Sequence, residues 1–387
     1  MVTAIINGKI LTPGKTRFGV LLLEDGKIRG IEDSAPEGAR ILDAEGDYVS
    51  PGFIDMHTHG AGGADFMDGT VDAYLTAARM HAKHGTTLLY PTTLTSTNEA
   101  LYESFDTYRK AKLENRDGAA FGGMHLEGPY FNPEFAGAQD RRYLRNPRPE
   151  EYLEILERCP ELARWSFAPE LDGAADFAAE LKRRGIIASI GHTNATFTQC
   201  DAAFQAGATH MTHFYSCMST ITRRNAFRYA GTIEYGYYQD GITLEIIADG
   251  IHVPKDLLLL LLKIKGAERI SLVTDSMRAA GMPEGKSILG GLADGQEVIV
   301  EDGVAKLPDR SAFAGSVATT DRLIRTMVSQ AGCSIPDAVR MMTENPARVM
   351  GIAASKGSIQ PGKDADIVIF DENINVKQTI IEGKIIC

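Results

Sequence analysis

Cysteine is scarce and unpatterned in this chain. Its five residues, Cys159, Cys200, Cys217, Cys333 and Cys387, are odd in number and widely separated. With no CxxC spacing, neither a disulfide framework nor a thiolate zinc site is indicated, and a reducing, cytoplasmic compartment is the expectation. Long apolar runs are missing as well. The longest purely aliphatic stretch, 257–262, falls far short of the about 20 residues that a membrane helix needs, and reads as helix core. The opening MVTAIINGKILTPGK lacks a basic head followed by a long apolar stretch, so no signal peptide is expected. Positive charge is in deficit too: 40 Lys+Arg against 51 Asp+Glu leave −11. That balance disfavours a nucleic-acid backbone or an anionic membrane as partner, and leaves room for a local basic site that binds one small anion. Three catalytic signatures are also missing: a GxSxG nucleophile elbow, a GxxxxGK[ST] phosphate loop and a glycine-rich dinucleotide fingerprint.

What remains is an ordinary globular composition over 387 residues, 44% hydrophobic and 24% charged, which excludes disordered and fibrous classes. Residues 1–50 read as short strands and turns, with a hairpin signal at Glu24-Asp25-Gly26-Lys27. The far end reads alike, with strands over 365–370, 378–381 and 384–386. Between them strands and helices alternate. Eight strands are expected, over 52–57, 86–91, 121–127, 165–169, 185–191, 208–213, 243–247 and 270–275. Helices are expected over 70–84, 149–158, 174–184, 194–206 and 254–264, a short β-rich insert over 290–314 and a closing helix over 335–350. Eight alternating units most simply close into an α/β fold of the (β/α)8 TIM-barrel type, with an open doubly wound sheet as the alternative. The expected division is 1–50 and 355–387 as the two parts of one small β-sandwich domain, and 51–354 as the barrel.

Polar residues gather at the expected strand ends. His57 and His59 stand two apart in PGFIDMHTHG, so a strand turns both imidazoles to one face. Glu127, His192, His213 and Asp275 close the third, fifth, sixth and eighth strands. In a barrel all six meet at the C-terminal mouth, where such folds do their chemistry. Histidine and carboxylate donors without thiolates suit Zn²⁺, Fe²⁺ or a similar divalent ion. A hydrolytic site of that kind also needs a carboxylate that takes a proton from water and passes it to a leaving group, and Asp275 is the best-placed candidate. A single histidine on an apolar strand is ordinarily a packed core residue. That reading is kept for His210, and His81 and His84 are read as surface or packing residues. His125 shares the parity of Glu127 and is read as lining the barrel. Taken alone, Cys217 reads as a small buried apolar residue.

The segments PGFIDMHTHG, HLEGPY, GHTNA, THF, ADGIHVP, VTDSMRAAGMPEG, FAGS, TENPARVMG and GSIQPGKDADIVIFD, in that order along nearly the whole chain, resemble the amidohydrolase superfamily. Within it they are similar to the N-acetylglucosamine-6-phosphate deacetylases. The resemblance implies a metal-dependent barrel flanked by a β-sandwich of both termini, dimeric, with one or two divalent ions per subunit and an amino-sugar phosphate as substrate. It implies Glu127, His192 and His213 as principal metal ligands, His57 and His59 as a second position, and Asp275 as the catalytic acid and base. The implied substrate contacts are Ala138, Gln139, Ser216, Cys217, Arg224, Asp249, Gly250, Ile251, His252, Phe313, Ala314 and Gly315, with Arg224 meeting the phosphate. Three departures from the family pattern bear on the sugar: Ser216-Cys217 where Asn-Ala is usual, Gln139 where a histidine is frequent, and the tyrosine-rich loop after Met218. A different amidohydrolase reaction and a non-catalytic barrel are the rival readings.

Overall fold

The structure, a computed structural model, describes residues 2–387. Eight parallel strands form the centre: Phe53–Thr58, Thr86–Thr93, Met124–Glu127, Leu162–Phe167, Ile187–Ile190, Ala208–Met211, Thr243–Ile246 and Ile270–Leu272. Each pairs with the next in chain order. The eighth returns to the first through the Asp275 N–H on the His57 carbonyl (2.8 Å) and the His59 N–H on the Ser276 carbonyl (2.8 Å). This is the (β/α)8 barrel, and its strands and helices share a large apolar core containing Phe53, Leu89, Leu126, Trp165, Ile190, Met211 and Leu244, with a smaller cluster around Ile54, Met56, Tyr90 and Val273.

The helices expected from the sequence are Val71–Lys83, Pro149–Arg158, Ala174–Arg183, Phe197–Ala206 and Lys255–Lys265. Three further ones, Asn98–Glu114, Thr232–Tyr238 and Thr320–Ser329, had no segment assigned to them. The first of these is mostly polar, and its buried stripe of Leu101, Phe105, Tyr108 and Ala111 is what docks it. The closing helix is two: Ile335–Met342 and Glu344–Val349. Thr343 separates them with φ −135°, its hydroxyl bonded back to the Val339 carbonyl, and Pro346 removes an N–H that a continuous helix would need.

Both termini build β-structure. A six-stranded sheet runs Lys384–Ile385, Val376–Ile381, Ile367–Phe370, Tyr48–Pro51, Lys9–Thr12, Lys15–Arg17. A four-stranded sheet runs Lys27–Glu32, Val20–Glu24, Thr3–Ile6, Arg40–Asp43. Ile5, Ile10, Leu21, Val49, Ile367 and Ile369 fill a separate core that both sheets share. The β-rich insert is a three-stranded antiparallel sheet of Gly285–Leu289, Gln296–Glu301 and Val304–Lys306. Gln296 Nε2 ties it to the mouth loops by donating to the Ala138 carbonyl (2.8 Å).

Candidate metal centre and substrate cavity

The first strand delivers His57 and Thr58, and its extension delivers His59. Glu127 is the last residue of the third strand. His192, His213 and Asp275 lie just beyond their strands and take left-handed backbone at φ 48°, 27° and 45°. L-residues seldom adopt that conformation without a local reason. Here it turns each chain inward over the barrel mouth. All six side chains are buried.

They form two adjoining groups of donors, His57–His59–Asp275 and Glu127–His192–His213. In the first, Asp275 Oδ1 lies 3.3 Å from His57 Nε2 and 3.2 Å from His59 Nε2. In the second, Glu127 Oε1 lies 3.1 Å from His192 Nε2 and 2.9 Å from His213 Nε2. Glu127 Oε2 reaches across to His59 Nε2 at 3.2 Å.

The residues fit a divalent cation on the chemistry of their donors. The His192 Nδ1 faces the Phe135 carbonyl at 2.9 Å and the His59 Nδ1 faces the Thr92 carbonyl at 3.2 Å. A carbonyl only accepts, so each Nδ1 carries a proton, and Nε2 is the atom turned toward the neighbours, the one that would offer a lone pair to a cation taking the place of its proton. His192 and His213 bring their Nε2 atoms to 3.0 Å of each other, and His57 and His59 to 3.3 Å. Charge tells the same story. Burial lowers the His57 and His59 pKa values, yet the surrounding carboxylates outweigh it and lift them to about 10 and about 9. Such a field rewards positive charge at the centre. Burial raises the Glu127 and Asp275 carboxyls, but the facing imidazoles hold both below the ordinary carboxylate range.

A cavity of about 240 Å³ opens over these groups. Ala138, Gln139, Ser216, Cys217, His252, Phe313 and Gly315 line it, as do Leu94, Ile247, Leu289 and Ala312, which sequence reasoning had not singled out. Gln139 holds Glu127: its Nε2 donates to Oε2 at 2.7 Å, while its Oε1 accepts the Thr95 N–H at 2.8 Å. Cys217 is half-buried at φ 52°, and a Cβ on Gly137 would come within 2.7 Å of its sulfur, so this close approach needs glycine. Asp249 does not line the cavity. It accepts from His252 Nδ1 at 2.8 Å and orients that ring against Phe313. Gly250, Ile251 and Ala314 do not line the cavity either. Arg224 is elsewhere. It sits on an exposed hairpin, Thr222–Arg224 with Phe227–Tyr229, its guanidinium over the Tyr229 ring at 5.6 Å.

The remaining histidines are packing residues. His81 is buried, with Nε2 at 2.9 Å from the Thr58 hydroxyl, and His84 pairs with Asp321 at 3.0 Å. His125 stands edge-on to His57, ring centres 4.6 Å apart, between the hydroxyls of Thr92 and Ser166. His210 bonds the Thr243 hydroxyl at 2.7 Å. Sequence reasoning missed Glu245 and Arg164, a buried ion pair beneath His57. Their one signal was a charge in the middle of an apolar strand, in ITLEII and in LARWSF.

Comparison with known proteins agrees with this geometry. Residues 48–386 match the model of the Amidohydrolase family. The chain is 34% identical over 376 residues to the N-acetylglucosamine-6-phosphate deacetylase of Lysinibacillus sphaericus, covering 94% of this chain and 92% of that one. It is 33% identical to the N-acetylgalactosamine-6-phosphate deacetylase of Escherichia coli O157:H7, at 94% of each. The crystal structure of N-acetylglucosamine-6-phosphate deacetylase from Pasteurella multocida superposes with a TM-score of 0.92 at 28% identity, covering 100% of this chain and 99% of that one. The chain belongs to the amidohydrolase family, and is a hydrolase of an amide C–N bond.

Proposed function

We propose that this protein removes the acetyl group from N-acetylglucosamine-6-phosphate, giving glucosamine-6-phosphate and acetate. The observation that carries the reading is Asp275 placed against both His57 and His59 on the wall of the cavity that Glu127, His192 and His213 also line. Glu127, His192 and His213 would hold one divalent ion, zinc or iron by their chemistry, and His57 and His59 a second. When bound, such an ion lowers the pKa of water toward about 7 and polarises the acetyl carbonyl. Asp275, ionised at neutral pH, takes one proton from the attacking water as the new C–O bond forms. It then returns that proton to the nitrogen as the C–N bond breaks, so the amine leaves neutral and the acyl product is acetic acid, which keeps the second water proton until it gives it to solvent and becomes acetate. Gln139 keeps the Glu127 carboxylate in place through this exchange. His252, oriented by Asp249, faces the cavity as a hydrogen-bonding group for the sugar or its acetamide.

The phosphate contact falls to Arg224. Its hairpin stands clear of its own cavity and exposes Ile221, Phe227 and Tyr229, which supports a homodimer in which Arg224 serves the neighbouring site. A guanidinium offers the phosphate a bidentate, charge-assisted pair. Five free, scattered cysteines support a cytoplasmic setting. A second reading, the galactosamine epimer, is favoured by the Escherichia coli relative.

Acetate release from N-acetylglucosamine and N-acetylgalactosamine, each with and without the 6-phosphate, decides among these. The expected order places N-acetylglucosamine-6-phosphate first. Arg224→Ala should raise its KM about 10–100-fold and leave the unphosphorylated sugars nearly unchanged, since a lost charged hydrogen bond is worth about 1.5–3 kcal/mol. A preference for unphosphorylated sugar, or equal weakening of both, overturns the phosphate assignment.

A further inference from the structure

We propose that Glu245 is a positioning residue that sets one ligand of each donor group at once. It lies within the seventh strand, fully buried, and its carboxylate meets three donors. Oε1 stands 2.8 Å from His57 Nδ1 and accepts the His213 backbone N–H at 2.9 Å. Oε2 receives the Arg164 guanidinium, which is itself fully buried and donates also to the Ser189 and Thr212 hydroxyls at 3.2 and 3.0 Å.

A carboxylate paired with a guanidinium is an acceptor only. His57 must therefore carry a proton on Nδ1, which leaves Nε2, 3.3 Å from both His59 Nε2 and Asp275 Oδ1, as the atom that would offer its lone pair to a cation at the centre. The bond to the His213 N–H acts on the other group. His213 holds the left-handed turn at φ 27°, and that turn aims its Nε2 at Glu127, 2.9 Å away. One side chain thus fixes a tautomer on the first strand and a backbone turn after the sixth. Stability alone does not call for this pair, because a buried ion pair can often be replaced by apolar residues without loss. A carboxylate behind a ligating histidine does have a purpose: it orients the ring and raises its basicity.

The inference rests on the metal assignment of the proposed function, and its test reads metal and tautomer rather than deacetylation. Glu245→Gln preserves shape but supplies one acceptor and one amide donor where three donors converge. With its oxygen on Arg164, its NH₂ faces His57 Nδ1, which then accepts and carries its proton on Nε2, pointing at the centre. Zinc affinity measured by chelator competition should fall about 10–100-fold in folded Glu245→Gln, as in His57→Ala. Zinc-loaded wild-type protein labelled with ¹⁵N-histidine should show the His57 proton on Nδ1, assigned by its disappearance in His57→Ala. A wild-type proton on Nε2, with Nδ1 bare, overturns the proposal whether or not the glutamine variant folds. Full zinc affinity in folded Glu245→Gln beside a loss in His57→Ala overturns the positioning role alone. Full affinity in both His57→Ala and His192→Ala overturns the metal assignment beneath it.

Discussion

Asp275 has two partners and one proton to move. Its Oδ1 sits 3.3 Å from His57 and 3.2 Å from His59, so the same carboxylate closes a donor group and faces the cavity. Asparagine keeps the shape and one acceptor but cannot take a proton. Asp275→Asn should lower kcat about 10²–10⁴-fold, the usual cost of losing a general base. Zinc held by Glu127, His192 and His213 should remain, measured as metal per chain in the same preparation. Wild-type turnover in a zinc-loaded variant would remove Asp275 from the proton path. At this scale the site was partly legible. The two-residue step of His57 and His59 announces a shared face, and strand-end polar residues announce the rest. Glu245 was not legible, because its meaning depends on Arg164 lying 81 positions earlier and on the barrel bringing the two together. Nor was the second duty of Gln139, whose bond to Glu127 requires the loop after the third strand to fold back over it.

Among the elements, the sequence reading passed over Asn98–Glu114, whose surface is charged on every side but the buried one, and also Thr320–Ser329, although its buried Leu323, Ile324 and Met327 make a clear apolar face. It also ran Ile335–Met342 and Glu344–Val349 together, since both keep an apolar face and only the backbone at Thr343 breaks them. The run at 257–262 does form helix: Leu258 and Leu261 are buried while Leu259 and Leu260 are exposed. That helix ends on Lys265, whose buried ammonium donates to the carbonyls of Gln239 (2.8 Å) and Ile242 (3.1 Å). Burial lowers its pKa to about 8, and Arg269 adds to the effect. A lysine whose folded pKa is depressed binds fewer protons folded than unfolded between the two values. Stability from this group therefore rises with pH from about 8 to about 10.5. The increment is at most about 3 kcal/mol. Lys265→Met should erase that rise, read as the difference in Tm between pH 7.5 and pH 10 relative to wild type. It should also lower Tm at both, because two carbonyls lose their donor. An unchanged pH difference would mean the ammonium is solvated.

For the whole molecule, the deciding element is the strand Ile367–Phe370. Every residue in it is buried, and its two faces enter two different cores. Ile367 and Ile369 pack among the terminal strands, whereas Val368 and Phe370 belong to the core of the barrel. The Phe370 ring stacks on Tyr48 at 5.5 Å and lies 6.1 Å from Phe53, which opens the strand that carries His57. The sequence announced pairing of the two ends, since both are β-rich. It could not announce this double burial, because an all-apolar run of four carries no facial signal. A strand shared by two cores should make them unfold together. Phe370→Ala should cost about 3–5 kcal/mol, the range for emptying a buried aromatic site. Unfolding can be followed by two probes. The fluorescence of Trp165, the one tryptophan, reports on the fourth barrel strand, and far-UV circular dichroism reports on the whole chain. The two transitions should coincide in wild type and shift together in Phe370→Ala. If instead the variant loses β-signal first while Trp165 stays native, the terminal sheets unfold on their own and the strand does not couple them to the barrel.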